Sequence, residues 1–175
     1  VIALIENDFE VIIIDDLSNS NKQVLERIKR ITGVTPKLFN NDLKEAFLAD
    51  NAFRYNKNID AVIHFAAHKA VSESVQKPLM YYQNNLCALI NTLIAMETYN
   101  INNFIFSSSA TVYGNPKTLP IKESNEIQRP FSPYGNTKKI AEEIIEDVVK
   151  ANTNLSAISL RYFNPIGCLL YTSPS

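Results

Sequence analysis

Residues 107–114 read SSSATVYG and follow directly on the apolar run of residues 103–106. Three serines and a threonine therefore crowd the end of what reads as a buried strand. Inside a core, an unpaired hydroxyl costs about 1 kcal/mol or more. In an open parallel sheet, by contrast, the carboxyl ends of the strands are where ligands sit. The stretch predicts a parallel α/β sheet with a site at this strand end.

Working outward, short apolar and β-branched runs at residues 10–14, 60–65, 103–106 and 156–163 read as strands with both faces covered, with 36–39 as a further short strand. Helical periodicities lie between them at residues 22–31, 43–55, 79–99 and 133–149. In the third helix, Leu79, Tyr82, Leu86, Leu89, Leu93 and Met96 recur at three- and four-residue spacing, as core or as a subunit interface. Before the fourth, Ser132 suits an N-cap and Pro133 the first helical position. Strand–helix alternation of this kind gives a parallel sheet with helices on both faces. Residues 116–130, rich in proline and charge, read as a long surface loop.

Composition narrows the function. The 175 residues are 46% hydrophobic and 20% charged with a net charge of −1, so there is no electrostatic case for nucleic acid or an anionic membrane. Cys87 and Cys168 make neither a disulfide framework nor a metal cluster, which suits a reducing, cytoplasmic setting and a site with no metal. No apolar run reaches the length of a membrane span, and no basic start leads into an apolar segment.

Only 4 residues are glycine, well under the usual share of about 7%. The chain opens on an apolar helical piece, a turn at residues 6–8 and a strand ending in Asp15. In a dinucleotide-binding βαβ unit, an acid at the end of the second strand follows a glycine fingerprint by about 20 residues. Only 14 residues precede Asp15, so the first strand and glycine loop are expected before Val1. These readings predict a Rossmann-like doubly wound parallel sheet, incomplete at both ends. Residues 1–167 form one dinucleotide-binding domain, and 168–175, without periodicity, read as a tail foreign to it.

Tyr134 and Lys138 form Y-x-x-x-K just inside the fourth helix, on one helical face. Free tyrosine is a poor base near neutrality, but a neighbouring cation favours the phenolate. With Ser109 as a hydroxyl donor, the three make an acid–base set for moving a proton on or off an alcohol while hydride leaves its carbon. Alone, Y-x-x-x-K on a helix is most often a surface pair; the serine-rich strand end makes it specific. His64 reads as a core histidine, His68 has no assigned chemistry, and Ser107 and Ser108 read as hydroxyls satisfying the backbone.

Serine, Y-x-x-x-K and the alternating pattern resemble the extended short-chain dehydrogenase/reductase family. The strings HFAAHKAVSESVQKPLMYYQNN, SSSATVYG, SPYGNTK and LRYFNPIG, in that order over nearly the whole chain, are similar to its epimerases acting at C4 of UDP-hexoses. The resemblance implies that Asp15 holds the adenosine ribose of NAD, with Asn19 and Ser20 nearby, and that Asp42 and Leu43 meet the adenine. It implies that Phe65, Ala66, Ala67 and Lys69 line the cofactor, that Asn84 reaches it, and that Lys138 grips the nicotinamide ribose. Ser109 and Tyr134 then face both cofactor and sugar 4-hydroxyl, Lys69 also touches the substrate, and Phe163 and Asn164 border nicotinamide and sugar.

The implied activity is interconversion of UDP-glucose and UDP-galactose through a 4-keto sugar, in galactose metabolism, by a homodimer to whose helical interface Leu89 and Leu93 contribute. Two other functions compete. A sugar-nucleotide 4,6-dehydratase of the same family needs Asp-Glu after the strand-end hydroxyl, where this chain has Ala110 and Thr111. A non-catalytic dinucleotide-binding module is disfavoured by the joint presence of Ser109, Tyr134 and Lys138. The 175-residue chain by itself is expected to be inactive.

Overall fold

The computed structural model describes residues 1–56 and 58–164. The chain packs as two units: one of Val1–Asp60, Ala66–His68 and Gln83–Asn102, the other of Ala61–Phe65, Lys69–Tyr82 and the residues from Asn103 onward. The tail expected at residues 168–175 lies outside the described residues.

The first unit contains α1 (Ile2–Ile5), β1 (Ile12–Ile14), α2 (Gln23–Thr32), β2 (Lys37–Phe39), α3 (Ala46–Arg54) and most of α5 (Pro78–Thr98). β1 and β2 are parallel, with Ile12 opposite Lys37 and Ile14 opposite Phe39. Parallel strands need a crossover, and α2 supplies it. Gly33 stops α2 at φ 77°, its N–H donating to the Lys29 carbonyl at 2.8 Å, a left-handed cap that glycine adopts without strain. Ile14 packs against the buried Leu43, Ala49 and Ala88. The Asn91 amide donates to the carbonyls of Leu43 and Lys44 at 2.9 and 2.8 Å, tying the loop before α3 to α5, and Tyr99 Oη, just past α5, donates to Asp50 of α3 at 2.8 Å.

The α5 stripe divides. Leu89, Leu93 and Met96 are buried, Tyr82 and Leu86 are half-buried, and Leu79 is exposed. At 0% and 7% exposure, Leu89 and Leu93 are core residues and cannot serve the interface to which they were assigned. Ile90 and Ile94 occupy the outer face instead, 40% and 55% exposed.

In the second unit stand β3 (Val62–His64), α4 (Val71–Gln76), the start of α5, β4 (Asn103–Ser109), a 3-10 turn (Ala110–Tyr113), α6 (Pro133–Ala151) and β5 (Ser156–Tyr162). The three strands are parallel in the order β3-β4-β5. β4 runs on through all three serines, because Ser107, Ser108 and Ser109 pair in register with Leu160, Arg161 and Tyr162. Ser132 caps α6, its Oγ accepting from Gly135 N at 3.1 Å, with Pro133 next.

α4 and the 3-10 turn escape sequence reading, since each is too short to show a period. β5 also departs from a strand covered on both faces: Ile158, Leu160 and Tyr162 are exposed, while Ser159 and Arg161 alternate with them on the half-buried side. Each sheet is purely parallel with helices in its crossovers, and the fold is Rossmann-like α/β.

Candidate active site

The tyrosine and lysine of Y-x-x-x-K fall in the first turns of α6, where the Ser132 cap fixes the start of the helix. Lys138 is 4% exposed. Its Nζ donates to the Ser107 carbonyl at 2.7 Å and lies 4.8 Å from the Phe106 ring centroid and 6.0 Å from that of Tyr134. Both rings are within cation–π reach. Burial pulls the ammonium down to a pKa of about 8, because removal from water penalises the charged form. Tyr134 is half-buried, and its carbonyl accepts from Thr137 Oγ1 at 2.7 Å.

Ser109 ends β4 and caps the 3-10 turn. Its Oγ accepts from the Thr111 N–H at 3.3 Å and from Thr111 Oγ1 at 3.0 Å. Thr111 in turn lies against Gly135, the neighbour of Tyr134. A Cβ on Gly135 would stand 3.2 Å from Thr111 Cβ and 2.7 Å from Pro130 Cβ. Only glycine permits that approach, which brings the start of α6 to the turn capped by Ser109. The unit therefore holds a buried ammonium, a phenol and a strand-end hydroxyl on contiguous elements.

Behind them His64 is buried on β3, its ring 6.0 and 6.2 Å from those of Phe104 and Phe106. Burial, and then the charge of Lys138, push its pKa down to about 3. Also in this unit are Phe65, Lys69, Phe163 and Asn164, all exposed.

The remaining candidates belong to the first unit. Asp15 follows β1, and its Oδ1 accepts from Leu17 N at 2.7 Å and Ser20 Oγ at 2.8 Å, so Ser20 orients the carboxylate. Asn19 is exposed beside it. Asp42 Oδ1 accepts from Lys44 N at 2.9 Å, and Leu43 is buried with its carbonyl held by Asn91. Ala66 is exposed and Ala67 half-buried. Asn84 donates to Asn85 Oδ1 at 3.0 Å. Asn85 itself, buried, clamps the main chain of His68, accepting from its N–H at 2.8 Å and donating to its carbonyl at 3.1 Å.

Sequence reading missed Asn85, and it missed a polar group around Glu142 and Arg161 that includes Ser108. Ser108 Oγ bonds the Glu142 carboxylate rather than the backbone. The signal was present: Glu142 stands four residues after Lys138 and so shares its helical face.

A serine at a strand end followed by Y-x-x-x-K on the next helix of a Rossmann-like fold defines the short-chain dehydrogenase/reductase class of α/β proteins. Within it, the chain belongs to the family described as GDP-mannose 4,6 dehydratase, whose model it matches over residues 1–172. It is 48% identical over 170 residues to UDP-glucose 4-epimerase uge1 of Schizosaccharomyces pombe, covering 95% of this chain and 47% of that protein. Against UDP-glucose 4-epimerase of Haemophilus influenzae the identity is 44%, over 95% and 49%. The crystal structure of UDP-glucose 4-epimerase from Bifidobacterium longum in complex with NAD+ and UDP superposes with a TM-score of 0.92 at 44% identity, over 95% of this chain and 49% of that one. The chain spans about half the length of the curated relatives it matches.

Proposed function

We propose that this protein is an NAD-dependent isomerase that inverts C4 of a UDP-hexose, interconverting UDP-glucose and UDP-galactose in galactose metabolism through a transient 4-keto sugar. The observation that carries the reading is the buried Lys138 ammonium, held on the Ser107 carbonyl beside the Tyr134 ring. It sits at the strand end that bears Ser109. Each unit by itself carries a group of the chemistry a dinucleotide needs: an oriented carboxylate after β1 in the first, and in the second an ammonium whose pKa of about 8 keeps it cationic at neutral pH.

NAD held by these residues would supply reversible hydride transfer at C4. Tyr134 accepts the 4-hydroxyl proton and gives it back. Ser109 holds the same oxygen, and Lys138 binds the nicotinamide ribose and stabilises negative charge on Tyr134. Asp15, with Asn19 and Ser20, takes the adenosine ribose, and Asp42 and Leu43 the adenine. Phe65, Ala66, Ala67, Lys69, Asn84 and Phe163 complete the cofactor contacts. Lys69 and Asn164 reach the sugar nucleotide.

Elimination across C5 and C6, as in a 4,6-dehydratase, needs a further acid and base beside the strand-end hydroxyl. Ala110 opens the 3-10 turn there and transfers no proton, which supports epimerisation within this family. The proposal extends to one NAD-binding domain over residues 1–167, a homodimer and a cytoplasmic location. Among the described residues, no helix is long and apolar enough to cross a membrane.

The test is Tyr134→Phe in the protein at its natural length, with UDP-galactose conversion followed by chromatography. Turnover is expected to fall about 10²–10⁴-fold, the usual worth of a general acid–base group, with NAD content unchanged. Conversion near the parental rate would overturn the assignment.

A further inference from the structure

Ser108 and Arg161 are partners in the β4–β5 register, and Glu142 of α6 meets both. Arg161 Nε stands 3.0 Å from Glu142 Oε1 and Nη2 stands 2.8 Å from Oε2, a two-armed grip, while Ser108 Oγ donates to Oε1. The third arm, Nη1, donates to Tyr113 Oη at 2.8 Å, and the guanidinium lies 5.0 Å from that ring's centroid. The Glu142 side chain is only 9% exposed and that of Arg161 21%.

A half-buried pair of this kind is a poor source of net stability, since desolvation offsets much of the attraction. What a planar two-armed contact does fix is geometry. Each member lies on the same element as a proposed site residue or within a few residues of one. Ser108 precedes Ser109, and Tyr113 ends the turn that Ser109 caps. Glu142 follows Lys138 by one helical turn, and Arg161 lies just before Phe163 and Asn164.

We propose that the Glu142–Arg161 pair positions the proton-transfer group, holding the start of α6 against the end of β4 so that Tyr134 and Ser109 address the same oxygen. The inference rests on the epimerase reading. It makes neither residue catalytic, because both act through the elements they join. Misplacing a reacting group by about 1 Å costs on the order of 10²-fold in rate, so the pair's effect falls on turnover rather than on binding.

Glu142→Gln, Arg161→Lys and Tyr113→Phe, made in the protein at its natural length, test this with UDP-galactose as substrate. Glu142→Gln removes the charge, Arg161→Lys keeps the charge without the fork, and Tyr113→Phe removes one hydroxyl. The expected result is a kcat lower by about 10–100-fold in the first two and by less in the third. KM and NAD content should hold within about twofold, and the acidic limb of the kcat–pH profile should shift. Folded variants with parental kcat and an unmoved profile would overturn the inference. So would a kcat loss matched by an equal loss of NAD, which marks general loosening. If Glu142→Gln does not accumulate as folded protein, the same criteria applied to the other two decide. A parent without epimerase turnover removes the underlying reading, and this inference with it; an active parent with unaffected variants removes the inference alone.

Discussion

Lys138 Nζ and the carbonyl oxygen of Ser107 are 2.7 Å apart, so the ammonium is anchored to the strand whose end carries Ser109. The burial that accompanies this bond works against folding, because it strips water from the ammonium. An unfolded lysine releases its proton near 10.5, whereas folded Lys138 does so at about 8. A depressed pKa means that the penalty is fully present below pH 8 and is relieved as pH rises toward 10.5. Lys138→Met, which removes it, is expected to melt higher than the parent at pH 7 while losing turnover. The gain has a ceiling of about 3 kcal/mol, reduced by the lost bond to Ser107. Calorimetry at pH 7 and pH 10 checks this: the advantage should shrink at the higher pH, and a variant melting below the parent at pH 7 counts against it.

Asp15 predicts cofactor choice. Its carboxylate, oriented by Ser20 Oγ at 2.8 Å, repels a 2′-phosphate, so NAD should bind better than NADP. Asp15→Asn removes that charge and should narrow the preference on the order of tenfold, about 1.4 kcal/mol. Titration with both cofactors measures it. An unchanged ratio would take Asp15 out of the ribose site.

His64 predicts acid sensitivity. An unfolded histidine takes up a proton near pH 6.5, but folded His64 only at about 3. Stability present above pH 6.5 is therefore lost as pH falls from 6.5 toward 3, by about 2 kcal/mol at pH 5. His64→Phe keeps a ring beside Phe104 and Phe106 and should flatten the decline of Tm between pH 6.5 and 4.5. Parallel Tm curves for parent and variant would refute this.

Gly135→Ala sets two effects against each other. Helix propensity favours alanine by about 1 kcal/mol. The new Cβ, however, would stand 2.7 Å from Pro130 Cβ, an overlap costing about 1–3 kcal/mol. The clash should win, with a lower Tm and a kcat reduced more than NAD binding. A raised Tm would show that the segment around Pro130 yields freely.

How much of this was legible in the sequence depended on what each feature repeats. β1, β2, α2, α5 and α6 showed because apolar periods, and the Ser132 cap before α6, are local signals. The strand end at Ser109 and the Tyr134–Lys138 pair showed because they are contiguous motifs. What stayed hidden is set by partners distant in sequence. β4 extends through its serines because β5 pairs with them, and Arg161 finds Glu142 and Tyr113 only once β5 lies beside β4. Leu89 and Ile90 are adjacent apolar residues in one helix, and only packing decides that the first is core and the second outer surface.

Among the described residues, β1 is hydrogen-bonded only to β2, and β3 only to β4. Within its sheet β1 thus has one unpaired edge, and it is the run Ile12–Ile14 with no charge inside it. Such an edge templates pairing between copies, and slow-forming parallel sheets prolong the exposure. For whoever overproduces this polypeptide by itself, the practical expectation is inclusion bodies, with yield improving as synthesis is slowed and the culture cooled. Lysine placed at Ile13, in the middle of that edge, is the substitution that should act on solubility first.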